Sequence, residues 1–538
     1  MKSLTRLSLL SMLAACGGSQ ASLPPAAQTT ATQVVVERVE QTAPQKQPPP
    51  SGAAPREIHF PAIERQSTSS GLEVNTVALH GVPVVQIKLV IKSGSARDPK
   101  DLPGTAQLVA QMLKEGTTKR TSAKIAEAVD FLGARLSIHN DEEQITINLH
   151  ALSEQLPEAL ALVAELATQP TFDEGELRKL KKRETDRLSL MSQSPNFLAR
   201  REFWRHLYGD HPYAHIDTTK DVVQRIKRSD LASFHQRYFA PNNAYLVVVG
   251  DVAPEKVLES SNKAFQTWAK RTVPAIEYPA PPTRSAREIV LVDRPESVQS
   301  VIYMGNLSLA RTSPDYVPLL VANQVLGGSA ASRLFMDLRE KQSLTYGAYS
   351  SVEEGLQSMP FRASAAVRNE VTPQAMKAFF DHLQRISSEA PTEGELADAK
   401  RLLVDSFPLH IETPGEIAGL VSDLRAYNFP DNYWDGFRSQ IQAVTSPQAL
   451  QAAKQFIRPD TALIVVVGRA AAVREPLASY GAVKVIDTDG KLVVATPAPA
   501  TAATAPTTTM SSPPAQPAAS AAHPVVPVTK PEPPKDAK

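Results

Sequence analysis

The sequence predicts an α+β protein of two homologous domains, each a mostly antiparallel sheet with helices packed on one face. Three observations carry this reading. The string P-N-N-A-Y-L-V-V-V-G at residues 241–250 returns as P-D-T-A-L-I-V-V-V-G at residues 459–468, with Pro, Ala, three valines and Gly coinciding at a constant offset of 218 positions. Each copy follows an amphipathic helical stretch, residues 230–238 and 448–456, and each run of valines reads as a buried strand. The chain has 538 residues, 42% of them hydrophobic, which is enough for two or three packed domains of roughly 100 to 200 residues each.

Taken in order, the chain opens with Lys2 and Arg6 ahead of an apolar run at residues 7–13, then Ala14, Ala15, Cys16, Gly17 and Gly18. A basic head, a short apolar core and small residues at a cleavage point describe a secretory signal, too short to span a membrane permanently. The L-A-A-C ending resembles the lipobox of bacterial lipoproteins, which implies lipidation at Cys16 and removal of residues 1–15. Cys16 is the only cysteine, so the exported chain has no internal disulfide. By the same resemblance, Gly17 rather than Asp after the lipidated Cys implies the periplasmic face of the outer membrane. Residues 17–57 are rich in Ala, Pro, Gln and Thr and read as a disordered tether. The domains are expected at 58–251 and 286–470, joined by a Pro- and Ala-rich linker at 252–285. Residues 471–538 are expected to be a mostly disordered Pro/Ala/Thr-rich tail.

Within the first domain, residues 84–91 form an apolar strand, 104–117 a helix, 134–149 a hairpin-like region and 156–167 a further helix. The counterparts are residues 298–304, 316–326, 345–367 and 373–388. Each half therefore reads β-α-β-β-α-α-α-β, strands outlining one sheet with helices against it.

The helix at residues 104–117 carries the functional clue. Its sequence, G-T-A-Q-L-V-A-Q-M-L-K-E-G-T, places Gln107, Ala110 and Gln111 where His, Glu and His would make H-x-x-E-H. That motif sets two zinc ligands one helical turn apart, beside a carboxylate that deprotonates metal-bound water. A neutral Gln amide is a poor zinc ligand, and Ala110 has no group to accept a proton. The helix reads as a zinc-peptidase element without its metal.

Further strings accompany it: G-S-A-R-D-P at residues 94–99, M-L-K-E-G-T at 112–117, Y-G-D-H-P-Y at 208–213, and L-G-G-S-A-A-S-R-L-F-M-D-L-R-E-K-Q-S-L-T-Y at 326–346. Together they resemble the insulinase and pitrilysin peptidase superfamily, in its short bacterial and mitochondrial-processing-peptidase-like branch, over about residues 71–470. The resemblance implies two homologous domains facing each other across a cleft, usually assembled as dimers. Its third zinc-ligand position falls at about residues 186–188, where no Glu stands; Glu184 and Asp186 are near misses. It also implies a substrate-holding pair, Arg339 and Tyr346, seven residues apart. Such a guanidinium and phenol would hold peptide backbone and stabilise negative charge developing on a carbonyl oxygen. Gly327 and Gly328 are either a substrate-contacting loop or a helix C-cap.

A formal charge of +1 with no basic block argues against nucleic acid as a partner. No G-x-S-x-G, P-loop or Rossmann fingerprint supports other hydrolase, NTPase or dinucleotide chemistry. His211 and His215 are four apart, but Pro212 between them and the lack of a carboxylate disfavour a metal. The charge run at residues 178–187 reads mainly as a solvated helix face. The leading expectation is a lipid-anchored, non-catalytic subunit of a two-chain zinc peptidase. This chain would bind no cofactor; an H-x-x-E-H-bearing paralogue would supply zinc, and peptides would be the substrates. The alternative is a peptide-binding or scaffold lipoprotein of the cell envelope with no role in proteolysis.

Overall fold

A computed structural model describes residues 58–493. The lipobox Cys16, the tether at residues 17–57 and most of the tail lie outside the described residues. The first half contains strands β1 (Glu64–Ser67), β2 (Glu73–Ala78), β3 (Val84–Ile91), β4 (Arg135–Asn140), β5 (Ile145–Leu152) and β6 (Ala244–Gly250). The second contains β7 (Glu288–Asp293), β8 (Gln299–Leu307), β9 (Thr345–Val352), β10 (Pro360–Arg368), β11 (Leu463–Gly468) and β12 (Val483–Ile486). The sheets run β1-β2-β6-β3-β5-β4 and β12-β7-β11-β8-β10-β9. Five strands correspond one to one, so the duplication read from two valine runs extends across both sheets.

The two valine runs are the central strands β6 and β11. Each pairs antiparallel with one neighbour, β3 or β8, and parallel with the other, β2 or β7. Both faces of these strands are buried, which is why they read as continuous apolar runs rather than alternating ones. In β6, Leu246 and Val248 face the helices of their own half, while Tyr245, Val247 and Val249 face the other way. In β11, Ile464 and Val466 face their own helices, and Leu463, Val465 and Val467 the opposite side.

What covers those opposite faces comes from the other half. The helix Pro195–Tyr208 of the first half lays Leu198, Phe203, Trp204 and Leu207 on the second sheet. The helix Pro414–Ala426 of the second half lays Ile417, Ala418 and Val421 on the first. The halves thus exchange one helix each. Full burial of a side chain such as Phe203 contributes on the order of 1.5–3 kcal/mol, so this packing joins the halves strongly. The expected one-faced helical layer holds for each half's own helices; the exchanged helix completes the second face.

Two boundaries differ from those expected. The domain ends later than residue 470, because the helix Ala470–Leu477 and strand β12 follow, with β12 pairing parallel to β7. The span 252–285 is only partly linker: Pro254–Phe265 is a helix whose Val257 and Phe265 enter the first core, with Trp268 after it. Its Pro254 sits in the first turn, where a missing N–H costs nothing, so a Pro-rich sequence still starts a helix. Strands β2 and β7 were also missed, their short apolar stretches being parallel-paired and without alternation.

Candidate functional site

The degenerate motif lies on helix α1 (Thr105–Met112). Gly104 precedes it with φ of 97°, a left-handed conformation that glycine adopts without strain, and a Cβ there would lie 2.7 Å from the Thr218 Cβ. Asp98 closes the helix start: its carboxylate accepts from the Gly104 N–H at 2.6 Å and the Ala106 N–H at 2.7 Å. Burial pushes the Asp98 carboxyl up to about 7, against the pull of those backbone donors. Ala106, Val109, Ala110 and Met112 enter the core, which leaves Gln107 and Gln111 half-buried, one turn apart. The helix therefore presents two neutral amides and a buried methyl where metal chemistry needs two imidazoles and a carboxylate.

The remaining ligand position fares no better. On the helix Glu174–Met191, Glu184 is buried on the face shared with Leu177, Leu180 and Leu188. Its carboxylate already accepts from Arg187, at 2.9 Å from Nε and 2.6 Å from Nη2, and the same guanidinium grips both oxygens of Asp217 at 2.7 Å. Asp186 points to solvent and pairs with Lys182 at 2.8 Å. Asp217 adjoins Thr218, which packs against Gly104, so this ion-pair network stands beside the start of α1. A guanidinium neutralises the carboxylates, and among the described residues no three His, Cys, Asp or Glu side chains converge to hold a metal. The residues present do not fit zinc. The charge run at 178–187 is likewise only partly a solvated face, since Arg183 ties this helix to Glu115 at 2.7 Å and Arg187 to Asp217.

Tyr346 lies on β9, the outer edge strand of the second sheet, and Arg339 on the turn that leads into it. Arg339 belongs to a single π-helical turn, Met336–Lys341, after which Ser343 adopts a positive φ of 52° and turns the chain into the edge strand β9. Its guanidinium lies 4.8 Å from the centroid of the Phe335 ring and, among the described residues, forms an ion pair only with the adjacent Glu340 at 3.3 Å. Phe335 in turn packs against Tyr349, at 5.5 Å between centroids, and Tyr346 is 89% exposed. Sequence reasoning missed Phe335 and Tyr349; the signal was a Phe one helical turn before Arg339. Both side chains of the pair are accessible, and neither is needed to fill a core.

Gly327 and Gly328 differ in environment. Gly327 ends the helix Tyr316–Leu326, and its carbonyl accepts from the Ser350 N–H of β9 at 2.9 Å. A Cβ at Gly327 would lie 2.4 Å from both Ser350 N and Oγ, so close approach of helix end and strand demands glycine. Gly328 is exposed beside Gln324. His211 is buried, accepts the Tyr213 N–H through Nδ1 at 3.1 Å and stacks on Tyr278; it caps a short turn. His215 follows that turn, and burial with Arg205 nearby lowers its pKa.

Comparison with known proteins matches the two halves separately. Residues 74–213 match the family profile described as insulinase, peptidase family M16, and residues 225–403 the one described as peptidase M16 inactive domain. An uncharacterised zinc protease of Streptomyces coelicolor is 23% identical over 75% of this chain and 89% of its own length. A protein of Helicobacter pylori described as a non-peptidase homologue is 24% identical over 71% of this chain and 87% of its own. Among solved structures, a peptidase M16 inactive domain from Pseudomonas fluorescens superposes with a TM-score of 0.72 at 29% identity, covering 76% of this chain and 98% of that one. A protease from Helicobacter pylori superposes with a TM-score of 0.70 at 21% identity, over 76% and 99%.

Proposed function

We infer, because the chain belongs to the insulinase (M16) family of peptidases as a catalytically degenerate member, that it serves as the non-catalytic subunit of a two-chain zinc peptidase held in the bacterial envelope. One observation carries this reading: the loss is asymmetric. Metal ligands and general base are replaced at Gln107, Ala110 and Gln111, and Glu184 is tied up by Arg187, yet Arg339 and Tyr346 remain exposed and free of core packing. A gene that had lost all peptide chemistry would have no physical reason to keep an arginine and a tyrosine displayed on one sheet edge. In this reading a paralogue with an intact H-x-x-E-H supplies zinc and base. This chain closes the chamber, and its Arg339 and Tyr346 bind the backbone of a peptide substrate. A guanidinium and a phenol are donors only towards a carbonyl oxygen, so they suit a role in orienting peptide and easing charge on that oxygen. Lipidation at Cys16 and the tether behind it would keep the complex at the inner face of the outer membrane.

The test is affinity capture of the tagged lipoprotein from its native membranes, followed by mass spectrometry of what co-purifies. A near-stoichiometric partner carrying H-x-x-E-H is the expected result. Recovery of the chain alone, or with unrelated envelope proteins, would overturn the two-subunit reading and leave a binding or scaffold lipoprotein.

A further inference from the structure

A second, unassigned site lies where the two halves meet. The turn between β4 and β5 and the turn between β9 and β10 are counterparts in the duplication, and they line one cavity of about 360 Å³, within the range of small-ligand pockets. The exchanged helix Pro414–Ala426 supplies another wall through Asp423, with Tyr427 just beyond its end.

Five carboxylates line it. Glu354 is already committed, paired with Arg311 at 3.2 Å and accepting from the Tyr316 hydroxyl. Asp141, Glu142, Glu143 and Asp423 form no ion pair among the described residues. Asp141 spends one oxygen on the N–H groups of its own turn, and Glu143 accepts from the Tyr278 hydroxyl at 3.1 Å. Lys92 and Arg97 share the lining, but Arg97 is turned to the Pro274 carbonyl at 2.7 Å, and Lys88 and Arg200 act only at Coulombic range. Partial burial raises the carboxyl pKa of Glu142, Glu143 and Asp423, which marks carboxylates short of compensating charge.

The walls between them are aromatic: Tyr213, Tyr245, Tyr278 and Tyr427. Tyr245 bonds to Ser422 Oγ at 2.8 Å and Tyr278 to Glu143, whereas Tyr213 is fully buried and its hydroxyl has no partner. An orphaned hydroxyl in a cavity wall is costly unless a guest completes it. No three acids converge closely enough for a metal ion, so the geometry wants a larger guest. Carboxylates spaced round tyrosine faces suit an organic cation, which gains from both charge and ring quadrupole.

We propose that this cavity binds an organic cation, a primary ammonium or guanidinium group, held by Asp423, Glu143 and their neighbouring acids against the tyrosine walls. The guest bridges the two halves at their paired hairpin turns. It arrives either as a free small amine or as the side chain of a peptide. The proposal does not depend on the peptidase-subunit reading.

The experiment is calorimetric titration of the purified mature chain with agmatine, putrescine, the tripeptide Gly-Arg-Gly and its citrulline counterpart. Saturable binding of an amine or of the arginine peptide, and not of the citrulline peptide, is expected. Glu143→Gln and Asp423→Asn should each weaken it about tenfold or more, as loss of one charge-assisted bond implies. Tyr213→Phe should also weaken it while leaving the free protein at least as stable, which a purely structural tyrosine would not do. Binding of agmatine identifies a free amine as sufficient; binding of the peptide alone identifies a side chain as the guest. No binding by any of the cations, or an affinity untouched by Glu143→Gln and Asp423→Asn, overturns the proposal.

Discussion

If this chain is the non-catalytic subunit proposed above, replacing Arg339 with alanine should lower turnover by the assembled peptidase about 10²-fold while barely touching the fold. The stability side follows from the surroundings of Arg339. Its side chain is 46% exposed, and its one ion pair among the described residues is with a neighbour, Glu340, that is 50% exposed. Surface pairs of this kind contribute about 0–1 kcal/mol. The stacking on Phe335 at 4.8 Å adds about 0.5–1 kcal/mol at an exposed site. Loss of both therefore costs about 1–2 kcal/mol at most, in a chain whose cores are elsewhere. The catalytic side is larger: removing a donor aimed at a developing oxyanion costs about 2.7–4 kcal/mol, or 10²–10³-fold in rate. The assay is steady-state hydrolysis of a fluorogenic peptide by the reconstituted complex, with size-exclusion chromatography to verify assembly. Arg339→Lys keeps the charge without the planar fork and should recover only part of the loss. Tyr346→Phe should lower kcat/KM without altering assembly, since an 89% exposed phenol holds nothing in place. An assembled Arg339→Ala complex with unchanged kcat/KM would refute the argument that these side chains act in trans.

Three further outcomes follow. Arg311, buried to 3% exposure, sits 4.0 Å from the Tyr316 ring and 5.1 Å from Phe429, and it bonds Glu354 and the Tyr433 hydroxyl. Arg311→Lys should cost roughly 2 kcal/mol in denaturant unfolding, the value of one charge-assisted bond, because an ammonium cannot serve both partners; an unchanged midpoint would show that the fork is idle. Asp423 has a folded pKa raised to about 6 by burial, above its ordinary 3.8, so its contribution is full below pH 4 and lost as pH rises through 6. Asp423→Asn should therefore be more stable than the parent by roughly 2 to 3 kcal/mol at pH 7.5, an advantage that fades by pH 4 in parallel melts. A chelator should leave the Tm of this chain alone unmoved while abolishing hydrolysis by the proposed complex; a Tm that falls on chelation would reveal a metal that Gln107 and Gln111 do not account for.

The sequence disclosed what depends on local pattern and hid what depends on distant partners. The valine runs of β6 and β11 announced buried strands, and the helix at residues 316–326 matches Tyr316–Leu326 residue for residue. That Gln107, Ala110 and Gln111 share one helix was legible because their spacing is covalently fixed. Strands β2 and β7 were not, since six apolar-leaning residues acquire strand character only by pairing with β6 and β11, more than 150 positions away. Nor could the charge run at residues 178–187 disclose that Arg187 reaches Asp217 across a chain reversal. The cavity was hidden for the same reason: its acids come from two hairpin turns and an exchanged helix, and no sequence window contains all three. Gly327 is compatible with a substrate-contacting loop or a helix cap on sequence alone, because the approach of Ser350 to the helix end is a contact 23 positions away.

The traded helices give the molecule the logic of a mortise and tenon. Pro195–Tyr208 is seated in the second sheet and Pro414–Ala426 in the first, so neither half can swing away without unseating a helix that belongs to its neighbour. A hinge through the irregular stretch after Trp268 would therefore open nothing, and a nick there would leave two fragments still joined. Whatever enters this protein must come in around a rigid frame. The exposed edge at β9 is where such a frame offers backbone and side chains to a visitor without any part of the core having to move.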